Sequence, residues 1–346
     1  MTDEAREIFL RRILPTLAGG VLGGAVFWLL GLPAPWLSGA MVGMVGVIRF
    51  GFDPYLPSFL RDVGMLLAGI VTGSAITPEM IGIISRYPAS LVGLALTTWI
   101  IVQAGRATLT RGFGWDRETA FFASVPGALS VVIATAATRK VDMLRVAAIQ
   151  AFRLFVLIAV LPSVVILSAP RIDIAPIPLL SAPAFAGICA AGVIIALVFE
   201  RLGVMAPFLL GGMTATGGLH VAGTVVGTPP DAVAGLAMLL VGIFAGSRFS
   251  ALDSTSLRAL ALPGIAVFLV TSAIAALGAV IVAFLIGLPL GMVLVAYAPG
   301  GLEAMVLLGL ALGLDPLYVT AHHVGRFVMI AAALPFIARR NLDGGP

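Results

Sequence analysis

Charge is scarce in this chain. Lys, Arg, Asp and Glu together make up 10% of its 346 residues, against 60% hydrophobic, and the mean hydropathy is +1.13. A soluble domain carries about 25% charged residues, so this sequence cannot clothe a water-facing surface and reads as a polytopic membrane protein. In lipid, only helices or a closed barrel satisfy every backbone group. Barrel strands alternate apolar and polar residues over about ten positions; that alternation is missing here, and the apolar runs are continuous and much longer. The spans are therefore expected to be helical. Cysteine is nearly absent: Cys189 stands alone in an apolar run, which excludes an intrachain disulfide and a cysteine-based metal cluster. There are three histidines, and His322 and His323 are adjacent, so they point about 100° apart on a helix and do not form an i, i+4 ligand pair. A copper or iron oxygenase needs a cluster of nitrogen and carboxylate ligands. No metal, no cofactor and no enzymatic activity are expected. The net charge of +4 is scattered among short loops and forms no basic stripe, so no direct nucleic-acid contact is expected either.

What the chain has in quantity is glycine, 41 residues, and proline, 22, a mixture suited to close helix packing and to interrupted helices. Apolar segments of spanning or near-spanning length fall at 13–30, 36–50, 59–76, 88–104, 120–138 and 146–167, then at 183–199, 207–226, 232–246, 260–286, 290–312 and 317–337. Two of them carry nearly the same text. Pro126-Gly127-Ala128-Leu129-Ser130 is followed by Asp142, Arg153 and Pro162; Pro299-Gly300-Gly301-Leu302-Glu303 is followed by Asp315, Arg326 and Pro335. The offset is 173 at each point (299 − 126, 315 − 142, 326 − 153, 335 − 162). Upstream, Gly69–Ser74 matches Gly242–Ser247 at 173, and the stretch around Pro35 matches that around Pro207 at 172. The chain is thus expected to hold two tandem homologous repeats, 1–167 and 183–346, joined by a proline-rich linker at 168–182.

The basic residues orient the repeats. If all six segments of the first repeat crossed, Arg139, Lys140 and Arg145 would lie opposite Arg11 and Arg12, against the positive-inside tendency. If 120–138 enters and turns back near Pro126-Gly127, then Arg106, Arg111, Arg117, Arg139, Lys140 and Arg145 share the side of Arg11, Arg12, Arg49 and Arg61, with Arg86 and Arg171 left outside. The second repeat is then inverted. The expected fold is an all-α polytopic membrane protein with about ten crossings, two broken or re-entrant segments and both termini cytoplasmic.

These motifs resemble the membrane AbrB family, whose members contain two copies of one duplicated unit. The resemblance rests on the Leu-Pro-x-Pro-Trp-Leu-x-Gly-x-Met segment at 32–41, the Pro-Gly-Gly-Leu-Glu segment at 299–303 and the Ala-His-His-x-x-Arg helix at 321–326, and it spans about residues 13–338. It implies a bacterial cytoplasmic-membrane protein with a fold like that of secondary transporters. Members have been labelled ammonia monooxygenases or regulators of gene expression. The first repeat departs from the pattern: Ser130 replaces the acid, and Ile149-Gln150 replaces the histidine pair.

The Pro-Gly segments are the leading candidates for chemistry. Proline begins helices well and glycine admits close backbone approach; a half-helix starting there would aim free N–H groups and positive dipole at an anion in mid-membrane. An ordinary kinked span is the competing reading. Arg153 and Arg326 lie within apolar helices, where an arginine costs about 2.5–3.5 kcal/mol on insertion scales. They are expected either to contact a substrate anion or to cap carbonyls of the broken segments, with Glu303 as a further partner. The expected substrate site comprises Pro126, Gly127, Ser130, Arg153, Pro299, Gly300, Gly301, Glu303 and Arg326. Glu303, His322 and His323 are the candidates for proton coupling, since histidine titrates near neutrality. The glycine run Gly211–Gly218 lacks the lysine of a phosphate loop and reads as small-residue helix packing. The sequence thus points to a secondary transporter of a small anionic solute, acting in the lipid bilayer and compatible with a homo-oligomer; the alternative is a membrane-embedded regulator of gene expression working through a partner.

Overall fold

The computed structural model describes residues 9–32, 34–76, 87–127, 132, 135–136, 139, 141–168, 178–204, 206–251 and 254–340. Among them there are thirteen α-helices and no strand: α1 (Leu14–Leu29), α2 (Pro35–Arg49), α3 (Ser58–Ser74), α4 (Tyr87–Ala107), α5 (Arg117–Ser124), α6 (Met143–Ser168), α7 (Ala182–Arg201), α8 (Pro207–Val221), α9 (Asp231–Ser247), α10 (Ser254–Ile286), α11 (Leu290–Tyr297), α12 (Leu302–Ala311) and α13 (Pro316–Arg340). Five stretches are long and apolar enough to cross a membrane: Leu10–Leu29, Tyr87–Gly112, Met143–Leu161, Ala182–Arg201 and Ala259–Ile286. Of the linker at 168–182, residues 169–177 lie outside those described.

The helices gather into two compact units, and each draws on both halves of the chain. One comprises 1–84, 158–250 and 303–317; the other comprises 85–157, 251–302 and 318–346.

The first unit is held by glycine. A Cβ on Gly23 of α1 would sit 2.2 Å from the carbonyl oxygen of Gly39 on α2, and one on Gly69 of α3 would sit 2.0 Å from that of Leu209 on α8. No side chain larger than hydrogen fits at such spacing, so these helices meet backbone to backbone, as small-residue packing demands. The run Gly211–Gly218 is part of this contact: a Cβ on Gly212 would lie 2.5 Å from the Leu66 carbonyl oxygen. α2 and α8 start alike. Each has proline at its first position, preceded by an alanine in the left-handed region, Ala34 (φ 47°, ψ 51°) and Ala206 (φ 46°, ψ 52°). These are the non-glycine residues of positive φ among those described, and they lie 172 apart (206 − 34).

The second unit contains α4, α5, the first part of α6, α10, α11 and most of α13. Asp116 caps α5 by accepting from the Thr119 N–H at 2.8 Å. α5 then stops at Ser124 and α11 at Tyr297, each two residues short of a proline. Val125 (φ −64°, ψ 121°) and Ala298 (φ −52°, ψ 132°) take the extended backbone that a following proline imposes. Of the two readings left open for the Pro-Gly segments, interruption and kink, the structure has interruption. The residues after Gly127 are described only at isolated positions.

Candidate functional site

Both Pro-Gly turns and both mid-helix arginines belong to the second unit. Arg153 on α6 and Arg326 on α13 are each 3% exposed. Arg326 is fully engaged at its tip: Nη1 donates to the carbonyl oxygens of Ala298 at 2.7 Å and Tyr297 at 3.4 Å, and Nη2 donates to that of Gly300 at 3.2 Å and to Nδ1 of His323. The Tyr297 and Ala298 carbonyls were freed when α11 ended before Pro299 and that of Gly300 lies in the turn itself, so the arginine supplies donors that a continuing helix would have supplied. Of the two roles expected for this residue, capping the broken segment is the one its geometry fits.

Arg153 repeats the arrangement at one remove. Its Nη2 donates to the Val125 carbonyl at 3.2 Å and to Oε1 of Gln150 at 3.1 Å. Gln150 Nε2 donates to the Phe122 carbonyl, as His323 Nε2 does to the Val295 carbonyl. Each partner in one set lies 173 residues from its counterpart in the other (295 − 122, 298 − 125, 323 − 150, 326 − 153). The sets differ in completeness. Nε and Nη1 of Arg153 are buried and have no hydrogen-bond partner among the described residues. A buried unpartnered donor costs about 1–3 kcal/mol, more when charged.

The two turns come together. Gly127 (φ +73°) is placed so that a Cβ on it would lie 3.7 Å from both Arg326 Nε and the Gly300 carbonyl oxygen. Pro126, Pro299 and Gly300 are buried and Gly301 is half-buried. Ser130 and the side chain of Glu303 lie outside what is described. The remaining expected substrate residues, Pro126, Gly127, Arg153, Pro299, Gly300, Gly301 and Arg326, therefore share this unit.

The histidines take different roles. His323 accepts from Arg326 at Nδ1, so its proton is on Nε2, where it donates to the Val295 carbonyl. A second proton would break the contact with Arg326 and set two cations side by side, so this geometry opposes a relay role for His323. His322 does the reverse: Nδ1 donates to the Tyr318 carbonyl at 2.8 Å, leaving Nε2 to accept from the Ser90 hydroxyl at 2.8 Å. Ser90, Gln150, Tyr297 and Tyr318 were not among the sequence candidates. Gln150 could have been found, because it occupies the register of His323 (323 − 173). Ser90 carries no such signal, since it reaches His322 across 232 positions of sequence.

A family model described as "Transition state regulatory protein AbrB" matches residues 36–341. An uncharacterized protein of Bacillus subtilis (strain 168), YhjN, is 24% identical over 354 residues, covering 92% of this chain and 90% of that protein. With the match extending across most of its length, the chain belongs to the AbrB family.

Proposed function

We propose that this protein is a secondary transporter of a small anionic solute, probed in the second unit by Arg153 between the two Pro-Gly turns. One observation carries the reading: Nε and Nη1 of Arg153 are buried and find no partner among the described residues, while Arg326, its counterpart in the other half, is bound to four acceptors. A buried cation with open donors is matched by an anion that brings its own acceptors. The anchoring of Arg326 keeps the Pro299-Gly300 turn in shape whether or not solute is present. The matched contacts at a spacing of 173 favour two copies of one unit, and the arginine-rich loops favour inverted copies, about ten crossings, two broken segments and cytoplasmic termini in a bacterial inner membrane.

Proton coupling falls to His322 in this reading, since His323 is held by Arg326. The test is uptake by the purified protein in lipid vesicles, screened over labelled carboxylates at several values of pH. Arg153→Gln is expected to abolish uptake and Arg153→Lys to retain a fraction, because lysine keeps the charge without the planar fork. Undiminished uptake by Arg153→Gln would overturn the assignment. The description attached to the family supplies a second reading, regulation through a partner. A protein that moves none of the carboxylates, with or without a proton gradient, would favour that one.

A further inference from the structure

Four buried side chains of the second unit form a connected polar cluster. Ser90 and Tyr318 are 0% exposed, Tyr297 1% and His322 0%. Their proton positions can be deduced. The Tyr318 carbonyl can only accept, so His322 carries its proton on Nδ1. Neutral Nε2 then accepts, and Ser90 must donate to it. With its one proton so placed, the Ser90 oxygen accepts from the Tyr318 hydroxyl. The Tyr297 hydroxyl donates to the Ser90 backbone carbonyl, and its oxygen stands 3.5 Å from Ser90 Oγ. The cluster therefore has a direction, Tyr318 to Ser90 to His322.

A proton added at Nε2 reverses that direction. His322 becomes a donor at both nitrogens, Ser90 must accept from it, and the Ser90 O–H has to turn away. No covalent bond breaks; only hydroxyl groups rotate. The phenol of Tyr318 is itself a donor to Ser90 in the starting state. The Tyr297 oxygen can accept from Ser90 while still donating to the Ser90 carbonyl, provided the 3.5 Å separation closes to a normal 2.7–2.8 Å. Tyr297 is the last residue of α11, two before Pro299, and its own carbonyl accepts from Arg326. A pull on its ring is thus a pull on the turn.

We infer that Ser90 and Tyr297 are positioning residues that transmit the protonation state of His322 to the Pro299-Gly300 turn. The groups facing His322 are Tyr87 and Ser90 from α4, Tyr297 from α11, and Tyr318, His323 and Arg326 from its own helix. The device has no copy in the other register: the positions 173 residues before Tyr297, Tyr318 and His322 are Ser124, Arg145 and Ile149, and the position 173 after Ser90 is Pro263. This deepens the transport reading and rests on it for its purpose.

Its test needs neither solute nor vesicles. With three histidines in the chain, selective nitrogen-15 labelling lets each ring be followed by NMR from about pH 8 to about pH 3, while hydrogen exchange of residues 298–302 is read by mass spectrometry at the same points. In the unmodified protein, His322 is expected to gain its second proton, and protection at the turn, read as exchange relative to the intrinsic amide rate at each pH, is expected to change several-fold in the same titration. In Ser90→Ala and Tyr297→Phe, His322 should still titrate but the turn should no longer follow; Ser90→Thr, which keeps the hydroxyl, should restore the response. If either variant fails to fold, Gly93→Ala serves, because its new carbon would lie 2.8 Å from the Tyr297 hydroxyl oxygen; it should weaken the response. A turn that ignores pH in the unmodified protein, a turn that follows His322 equally well in every variant, or a titration seen at His323 but not at His322 would each overturn the inference. The transport reading fails separately: a protein with this pH response but no carboxylate uptake keeps the coupling and loses the transporter.

Discussion

Exchanging each buried arginine for methionine is expected to have unequal consequences, although the two occupy equivalent positions 173 apart. Methionine keeps the stem and removes the charge. At Arg326 the loss leaves the carbonyls of Tyr297 and Gly300 and the Nδ1 of His323 without this donor, while the Ala298 carbonyl keeps only the Gly300 N–H. Unmet buried acceptors cost about 1–3 kcal/mol each, and relief of a mid-membrane charge returns only about 2.5–3.5 kcal/mol. The net destabilisation should fall near 3–5 kcal/mol, the range for breaking one side of a buried charged network. At Arg153 only the contacts to Val125 and Gln150 are lost, each worth about 1.5–3 kcal/mol as hydrogen bonds to a charged group. Against that, the same relief of charge applies and two unpartnered donors disappear. These contributions should cancel to within about 1–2 kcal/mol. Thermal unfolding of both variants in one detergent, without added carboxylate, reads the contrast. Arg153→Met should unfold close to the parent temperature and Arg326→Met well below it. Equal losses at the two positions, or a larger loss at Arg153, would refute the claim that one arginine is structural and the other held open.

Three other outcomes are expected. Gly69→Ala should destabilise by about 1–3 kcal/mol or more, since its methyl would lie 2.0 Å from the Leu209 carbonyl oxygen, whereas Gly46→Ala, with open space around it, should be neutral or slightly stabilising in the same thermal assay. Asp116→Ala should cost about 1 kcal/mol through the lost cap at the start of α5, and Asp116→Asn should recover most of it. A cysteine placed at Asp173 should react with a membrane-impermeant maleimide added outside whole cells; labelling only after the cells are opened would defeat the inverted arrangement.

Much of the fold was legible. Apolar run length and proline placement are local properties, and they located nearly every helix to within a few residues: 13–30 was read for Leu14–Leu29, and 290–312 resolved into α11 and α12 around Pro299. The interruption itself was legible because a proline cannot donate the bond that would continue the helix. The site was legible in part. Arg153, Arg326 and the Pro-Gly turns were singled out by repetition, yet repetition could not say that one arginine would be satisfied and the other left open. Ser90 was invisible, since a serine in an apolar run gives no sign of what it will meet.

Composition and apolar run length alone determined a helical membrane protein and its breaks, because both follow from the backbone's need for hydrogen bonds in lipid. Only the tertiary structure decided which freed carbonyls meet Arg326, which donors of Arg153 stay empty, and which ring nitrogen of each histidine holds the proton. Those outcomes turn on ångström-scale approach between segments as far as 232 residues apart in the chain, a distance over which no local pattern carries information.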